Sequence, residues 1–189
     1  MKEILRNLGL AALVILFFIL QTVFGEKLSL WGVKPEVLPF AAAAIGVLSG
    51  KTAGAWLGFL GGLLCDVISP WGLGPRAAVF FLAGAVAGEL SRMTLRRGFL
   101  LAFLFGLAAA AVSQLADALT HAAVGYPYGD LLRGAAFGTL YSCILFPVAW
   151  LPVWGLAKLF PRPGESADAV PSVRIHELHG RRSRQGGGV

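Results

Sequence analysis

The sequence is most informative at Gly54-Ala55-Trp56-Leu57-Gly58-Phe59-Leu60-Gly61-Gly62-Leu63-Leu64-Cys65-Asp66-Val67-Ile68. Gly54, Gly58, Gly62 and Asp66 recur every four residues, so they share one face of a helix. Glycines on one face let a second backbone approach closely, which is how helices pack where lipid supplies no hydrophobic driving force. A carboxylate inside a bilayer is costly, so we expect Asp66 to face protein or water. The spacing predicts a helix–helix contact that ends at Asp66.

The composition is that of a membrane protein. The chain has 189 residues, of which 57% are hydrophobic and 14% charged, and its mean hydropathy is +0.74. Soluble domains carry about 25% charged residues. The length leaves room for roughly six spans of about 20 residues each. Cys65 and Cys143 lie inside apolar runs without ligand spacing, so we interpret both as small buried hydrophobic residues.

Six apolar segments predict an all-α protein with six transmembrane helices. The segment at 37–49 is short for a full span, so we expect it to form a hairpin with the next segment, bent at Gly50 and Lys51; a re-entrant arm is the open alternative. Pro147 and Pro152 are predicted to kink the last segment. The predicted spans are 8–24, 37–49, 52–68, 76–90, 99–123 and 135–159, with a loop at 125–133.

The two ends of the chain allow further expectations. A basic start followed by an apolar run also describes a signal peptide, but the run at 8–24 is longer than a usual signal core and the rest of the chain is also apolar. We therefore expect residues 1–160 to form a six-helix transmembrane domain. Residues 161–189 are polar and basic, which predicts a disordered cytoplasmic tail.

The distribution of basic residues predicts the orientation. With both termini in the cytoplasm, twelve of the 16 lysines and arginines lie inside and four outside, which follows the positive-inside rule. This distribution explains the net charge of +6 without a nucleic-acid partner. The predicted inner set is Lys2, Arg6, Lys51, Arg92, Arg96, Arg97, Lys158, Arg162, Arg174, Arg181, Arg182 and Arg184; the outer set is Lys27, Lys34, Arg76 and Arg133.

A second pair of small residues offers a complement to the glycine face. Gly84 and Gly88 repeat the four-residue spacing in the span that follows. We expect them to oppose Gly54, Gly58 and Gly62. The sequence leaves open whether this contact is internal or joins a partner protein.

Polar residues gather toward the predicted outer side: Asp66, Arg76, Gln114, Asp117, His121 and Arg133. They could form a proton relay or a polar pocket. They could equally form an internal network that fixes helix order, in which Arg76 or the amides at the start of the fourth span compensate Asp66. We favour the internal network, since carboxylates near an interface mark pathways less surely.

The motifs favour neither an enzyme nor a metalloprotein. Asp117 and His121 are four residues apart and could supply half a metal site, but no second pair with ligand spacing accompanies them in the apolar part. No glycine-rich phosphate loop or nucleophile motif is visible. We therefore predict no catalytic residues, no metal and no cofactor.

The glycine-striped segment, followed by Gly72-Leu73-Gly74, resembles the signature hairpin of the bacterial rod shape-determining MreD family. Gln21-Thr22 and Leu30-Trp31-Gly32-Val33-Lys34-Pro35-Glu36 are similar to two further family patterns, with Glu36 where the family usually has Asp. The resemblance is strongest over residues 8–97.

The resemblance implies a non-enzymatic scaffold in the bacterial inner membrane. Family members associate with MreC and thereby help couple MreB filaments to the RodA glycosyltransferase and its penicillin-binding transpeptidase. Their fold is similar to the substrate-binding subunits of vitamin importers. Two alternatives remain: a small-molecule transport subunit with a pocket near Asp117, His121 and Tyr126, or an intramembrane enzyme that uses Asp66 and Asp117.

Overall fold

The computed structural model describes residues 2–25, 27, 34–69, 74–93, 98–123 and 128–160, and all regular structure within these ranges is α-helical. The predicted tail at 161–189 lies outside the described residues. The helices are α1 (Lys2–Gly25), α2 (Leu38–Ser49), α3 (Lys51–Ile68), α4 (Pro75–Met93), α5 (Gly98–Ala123), α6 (Tyr128–Ile144) and α7 (Phe146–Leu159).

Several helices are long and apolar enough to cross a membrane. Three qualify on their own: Ile4–Gly25, Lys51–Ile68 and Gly98–Leu119. The bent pair α6 and α7 makes a fourth if it is counted as one span. Within the described residues the structure therefore supports a membrane protein with three or four candidate spans. α2 has 12 residues and α4 carries three charged side chains, so neither adds to this count.

Helix α2 forms the centre of the bundle. Its sequence is apolar on every side, and eleven of its 12 residues are buried, as expected of a helix enclosed by other helices. At about 18 Å it is shorter than the roughly 30 Å hydrocarbon core of a bilayer. It contacts α3, α4, α5 and α7, so it is shielded by protein from the surroundings.

The turn between α2 and α3 lies where the sequence predicts it. Gly50 has a φ of 101°, a conformation that glycine adopts without steric cost. A Cβ added at Gly58 would contact the Ala42 side chain, and one added at Gly54 would contact Gly46. Contacts that move backward along α2 as they move forward along α3 show that the two helices are antiparallel.

Successive helices from α2 to α5 alternate in direction, so α2 and α4, which also contact each other, are parallel. Gly54 faces Gly84 and Gly62 faces Ala77, so α3 and α4 are antiparallel. Gly106 faces Phe40 in the same way, and Gly98 faces Val47, which makes α2 and α5 antiparallel. Each of the helices α3 to α5 therefore starts at the end of the bundle where the preceding helix ends.

The last predicted span is interrupted beside Pro147, as the sequence predicts, and consists of two helices. The chain bends by 41° between α6 and α7, at Leu145. Proline has no N–H and clashes with the preceding turn, so α6 cannot continue through Pro147, which instead occupies the first turn of α7. Pro152 lies inside α7. α6 also begins at Tyr128, within the predicted loop at 125–133.

Aromatic side chains hold α7 against α2 and α5. The Phe146 ring lies 5.6 Å from Phe40, 4.9 Å from Phe99 and 5.2 Å from Phe103, measured between ring centroids. Trp150 adds a contact with Phe99 at 5.2 Å. Such pairs contribute about 0.5–1.5 kcal/mol each beyond their buried area, so the segment after the bend is firmly attached to the core.

Candidate functional site

Helices α3 and α4 touch through their backbones. A Cβ added at Gly62 would lie 2.5 Å from the Ala77 Cα, and one added at Gly58 would lie 2.9 Å from the Phe80 carbonyl carbon. At Gly54 the added atom would lie 2.7 Å from the Gly84 carbonyl oxygen. These distances are far below van der Waals contact, so the glycine face of α3 has no room for any side chain.

The glycines of α4 complete this interface, and α2 joins it. A Cβ added at Gly84 would lie 2.5 Å from the Gly54 carbonyl carbon, and one at Gly88 would lie 2.6 Å from the Lys51 Cα. Gly46 of α2 faces Gly84, with 3.0 Å between an added Cβ and the Gly84 carbonyl carbon. The close contact is thus internal to the chain and involves three helices. Sequence analysis missed Gly46, although it follows an alanine run typical of a tightly packed helix.

Asp66 caps the start of α4 from the last turn of α3. Its side chain is 2% exposed. Asp66 Oδ2 accepts hydrogen bonds from the backbone N–H groups of Gly74 at 2.9 Å and Ala77 at 3.0 Å, and Oδ1 accepts one from Arg76 at 3.3 Å. The first N–H groups of a helix lack partners within it and carry partial positive charge, so a carboxylate stabilises them. The amides of α4, and not the guanidinium of Arg76, engage Asp66.

Gln21 plays the same part for α2. Its Oε1 accepts hydrogen bonds from the backbone N–H groups of Val37 at 2.8 Å and Leu38 at 3.3 Å. The cap of α2 therefore comes from α1, and the cap of α4 from α3. Both helix starts lie at the same end of the bundle and are held by side chains from neighbouring helices.

A buried ionic cluster, formed by Glu36, Arg76, Ser113 and Asp117, lies at this end. Arg76 Nη2 pairs with Asp117 Oδ2 and lies 3.4 Å from Glu36 Oε1. Ser113 Oγ donates a hydrogen bond of 2.5 Å to Glu36 Oε2, and Glu36 is only 5% exposed. The cluster connects the segment before α2 with α4 and α5. An arginine shared by two carboxylates fits buried ion pairs better than a lysine would, because its donors form a planar fork.

Hydrogen bonds of Ser142 and Gln114 extend the ionic cluster to α6 and to the chain before α2. The Glu36 N–H donates to Ser142 Oγ at 2.9 Å, and that hydroxyl donates to the Gly138 carbonyl at 2.7 Å. Gln114 Nε2 donates to the Lys34 carbonyl at 3.3 Å. The described part of this end of the bundle is therefore cross-linked by hydrogen bonds between helices.

The structure brings together only some of the predicted outer polar residues. Arg76 and Asp117 are paired, and Gln114 lies beside them on α5. Arg133 lies exposed on α6, and the His121 side chain is outside the described part of the chain. Sequence analysis did not predict that Glu36, Ser113 and Ser142 contribute to the ionic cluster and its hydrogen bonds. Of these three residues, only Glu36 has a sequence feature that indicates a role, because it stands immediately before an apolar helix and within the family-like pattern.

The chemistry available in the described residues is mainly structural. Within them, no group of three His, Cys, Asp or Glu side chains is close enough to hold a metal ion. The carboxylates of Asp66 and Glu36 are engaged by helix N–H groups, a serine and Arg76. This arrangement fixes where α2, α4 and α5 begin or end relative to each other.

An apolar cavity of about 270 Å³ lies beside Gln21, between the end of α1 and the bend that separates α6 from α7. It is distinct from the pocket position near Asp117 that the transporter alternative predicts. Its lining includes Leu20, Gln21, Phe24, Pro35, Leu145 and Val148.

Comparison with known proteins adds no relative. The chain was compared with protein-family models, characterised proteins and solved structures, and none of them matches it. The functional interpretation therefore rests on the resemblance over residues 8–97 and on the geometry of the glycine interface and the ionic cluster.

Proposed function

We propose that this chain is a non-enzymatic scaffold of the bacterial cell-elongation machinery, located in the inner membrane. In this role it binds MreC and helps couple MreB filaments to peptidoglycan synthesis by RodA and its penicillin-binding transpeptidase. Its residues hold helices in a fixed arrangement, and its outer helix faces bind the partner.

The observation that carries the proposal is the convergence of the family-like positions. Gln21, Glu36, the glycines of α3 and Asp66 are far apart in sequence, yet each one positions a helix start or a helix–helix contact. A resemblance confined to apolar composition would not give each of these polar residues a contact that positions a helix. This pattern supports a shared architecture with the MreD family.

The arrangement of helices supports six passes. Counting α6 and α7 as one broken span, and including α2 and α4, which do not qualify as spans on their own, gives six segments. Successive helices from α2 through α5 alternate in direction. An even number of passes places both termini on one side, and the excess of basic residues assigns that side to the cytoplasm. The same count agrees with the proposed likeness to substrate-binding subunits of vitamin importers.

The partner surface is expected on the outer helix faces, because the glycine face of α3 is occupied by α4. Large apolar side chains lie exposed there, among them Trp56 of α3, Leu82 of α4 and Leu140 of α6. In a bilayer these side chains contact either lipid or another membrane protein. A partner helix can bind them without any rearrangement of the bundle.

Purification from native membranes tests the proposal. A photocrosslinking amino acid is placed at Trp56, Leu82 or Leu140, and at buried Ala83 as the matched control. We expect MreC to be crosslinked from at least one exposed position and not from Ala83. Absence of MreC from every exposed position, with the protein folded and in the membrane, would refute the scaffold role.

The cavity beside Gln21 favours one alternative, a small-molecule-binding subunit of a transporter. Its apolar lining suits a hydrophobic ligand. Such a function requires a molecule that copurifies with the protein or raises its melting temperature. A Leu20→Trp variant, which fills the cavity, would then abolish the ligand effect while leaving MreC crosslinking unchanged.

A further inference from the structure

Arg6 of α1 is a buried cation that lacks a partner among the described residues. Its exposed fraction is 9%, and its Nε has no hydrogen-bond acceptor. None of the ion pairs Lys51–Glu89, Arg76–Glu36 and Arg76–Asp117 includes Arg6. A guanidinium nitrogen that is removed from water without an acceptor is unfavourable. The Nε donor of Arg6 is such a group, so an anion bound at this end of α1 would supply the acceptor that it lacks.

Arg6 lies at the end of the bundle opposite the ionic cluster. Gly9 of α1 contacts Leu156 of α7, with 3.1 Å between an added Cβ and Leu156 Cδ2. Arg6 is one turn from Gly9 in the direction of the amino terminus, and Lys158 is two residues beyond Leu156. Because Leu20 and Leu145 line one cavity at the other end, α1 and α7 are antiparallel, so Arg6 and Lys158 lie toward the same end.

The surroundings at that end are basic. Arg92 in the last turn of α4 and Lys158 in the last turn of α7 accompany Arg6, whereas the charge of Lys51 at the start of α3 is balanced by a carboxylate. Among the described side chains there, Glu89 is paired with Lys51 at 3.4 Å. The Ser49 hydroxyl, at the end of α2, is also buried without a hydrogen-bond partner. This end thus offers excess positive charge and unused donors.

We infer that Arg6 binds the phosphate of an anionic phospholipid headgroup at the end of the bundle that carries the amino terminus. A guanidinium forms paired hydrogen bonds with phosphate oxygens, which satisfies nitrogen donors that the protein leaves unpaired. Lys158 on the adjacent helix supplies a second positive charge. The Trp154 ring lies under the Lys158 ammonium, 3.9 Å from it, and holds that side chain near the helix end.

A lipid headgroup is the anion that this position favours. Arg6 is near the start of a 24-residue apolar helix, which places it at the boundary between hydrocarbon and headgroups if α1 spans the bilayer. Phosphate groups are concentrated at that depth, and basic residues there attract anionic lipids. The inference needs only the membrane location and not the proposed partner MreC.

The test compares wild-type protein with Arg6→Met in nanodiscs of phosphatidylcholine alone and in nanodiscs that also contain phosphatidylglycerol. Wild-type protein is expected to retain phosphatidylglycerol over phosphatidylcholine by roughly fivefold or more, measured by native mass spectrometry. Arg6→Met is expected to lose most of that preference. Lys51→Met removes an exposed, paired cation at the same end and is expected to keep it.

Thermal unfolding supplies a second readout. In an uncharged maltoside detergent, which carries no phosphate, Arg6→Met is expected to melt at or above the wild-type temperature, because it removes an unpaired charge. Added phosphatidylglycerol is expected to raise the melting temperature of wild-type protein and not of Arg6→Met. A lower melting temperature of Arg6→Met in detergent alone would overturn the inference, because it would show that Arg6 already has a stabilising partner within the protein.

Inorganic phosphate, added to wild-type protein in uncharged detergent, separates the two sources of the anion. It is expected to leave the melting temperature unchanged. Stabilisation by inorganic phosphate equal to that by phosphatidylglycerol would overturn the assignment to lipid in favour of a free-phosphate site. Equal retention of phosphatidylglycerol by wild-type protein and Arg6→Met would overturn the assignment to Arg6.

Discussion

A single methyl group at Gly62 is expected to destabilise the whole bundle. In Gly62→Ala the new Cβ would lie 2.5 Å from the Ala77 Cα and 2.6 Å from its nitrogen, so α3 and α4 must separate by roughly 1 Å. Both obstacles are backbone atoms, which cannot rotate away. Because Gly58 and Gly54 lie along the same face, the separation that accommodates one Cβ also loosens the contacts of the other two.

The magnitude follows from two opposing effects. Overpacking of a close contact costs about 1–3 kcal/mol, whereas replacing a helical glycine by alanine gains up to about 1 kcal/mol of helix propensity. Gly155→Ala isolates the second effect, because a Cβ added at Gly155 in α7 has no atom within 4 Å. Relative to Gly155→Ala, the free energy of unfolding of Gly62→Ala should therefore fall by about 1–3 kcal/mol.

The assay is reversible unfolding in detergent micelles titrated with sodium dodecyl sulfate, with helical circular dichroism as the signal. Gly62→Ala should unfold at a lower denaturant fraction than the wild-type protein, and Gly155→Ala at an equal or higher one. Equal midpoints for the two variants would refute the argument that backbone contact between α3 and α4 stabilises the fold.

Three further perturbations test the polar end of the bundle by the same assay. Asp66→Asn should lose about 1–2 kcal/mol of unfolding free energy, because an amide cannot accept as many N–H bonds at the start of α4. Glu89→Gln, at a half-buried carboxylate paired with Lys51, should change stability by less than about 1 kcal/mol. Equal effects of the two substitutions would contradict the cap. Arg76→Met should lower the free energy of unfolding by about 3–5 kcal/mol, because it leaves buried carboxylates unpaired. Adding Glu36→Gln to this variant should restore part of that loss. Additive losses in the double variant would argue against pairing of Arg76 with Glu36. Gln21→Ala should cost about 1 kcal/mol through loss of the α2 cap, and an unchanged midpoint would show that this cap contributes nothing.

Periodicity in the sequence is sufficient to predict the glycine interface. Gly54, Gly58 and Gly62 follow a simple four-residue repeat, and the close approach of a second backbone is the direct physical consequence of a helix face without side chains. The same spacing in Gly84 and Gly88 correctly predicts α4 as the opposing helix, but it does not predict the third helix. Gly46 joins the interface only because the hairpin at Gly50 returns α2 alongside α3, a long-range consequence of the turn.

The ionic cluster is harder to predict because its members come from distant segments. Arg76 and Asp117 stood out as charges in apolar surroundings, but Ser113 and Ser142 are ordinary residues of membrane helices. Their importance depends on the position of Glu36, which is fixed by the cap from Gln21 at the start of α2. The sequence of each segment by itself does not show how these segments align with one another in the bundle.

The bend before Pro147 shows that the helix-breaking effect of proline predicts an interruption but not the residue at which it falls. Proline interrupts helices, as expected, but the interruption falls at Leu145 because proline removes the hydrogen bond to the turn before it. Pro152 remains inside α7. Aromatic contacts of Phe146 hold the segment in place after the bend, so the position of the break depends on packing as well as on proline.

The reactivity of Cys65 tests most directly whether the glycine interface keeps the bundle closed. Cys65 lies on α3 one turn beyond Gly61 and is 7% exposed. In a Cys143→Ser background in membranes, a membrane-permeant maleimide is expected to label Cys65 slowly in otherwise wild-type protein and in Gly155→Leu, and much faster in Gly62→Leu. Rapid labelling of the otherwise wild-type protein, or equal rates in the two leucine variants, would contradict the account.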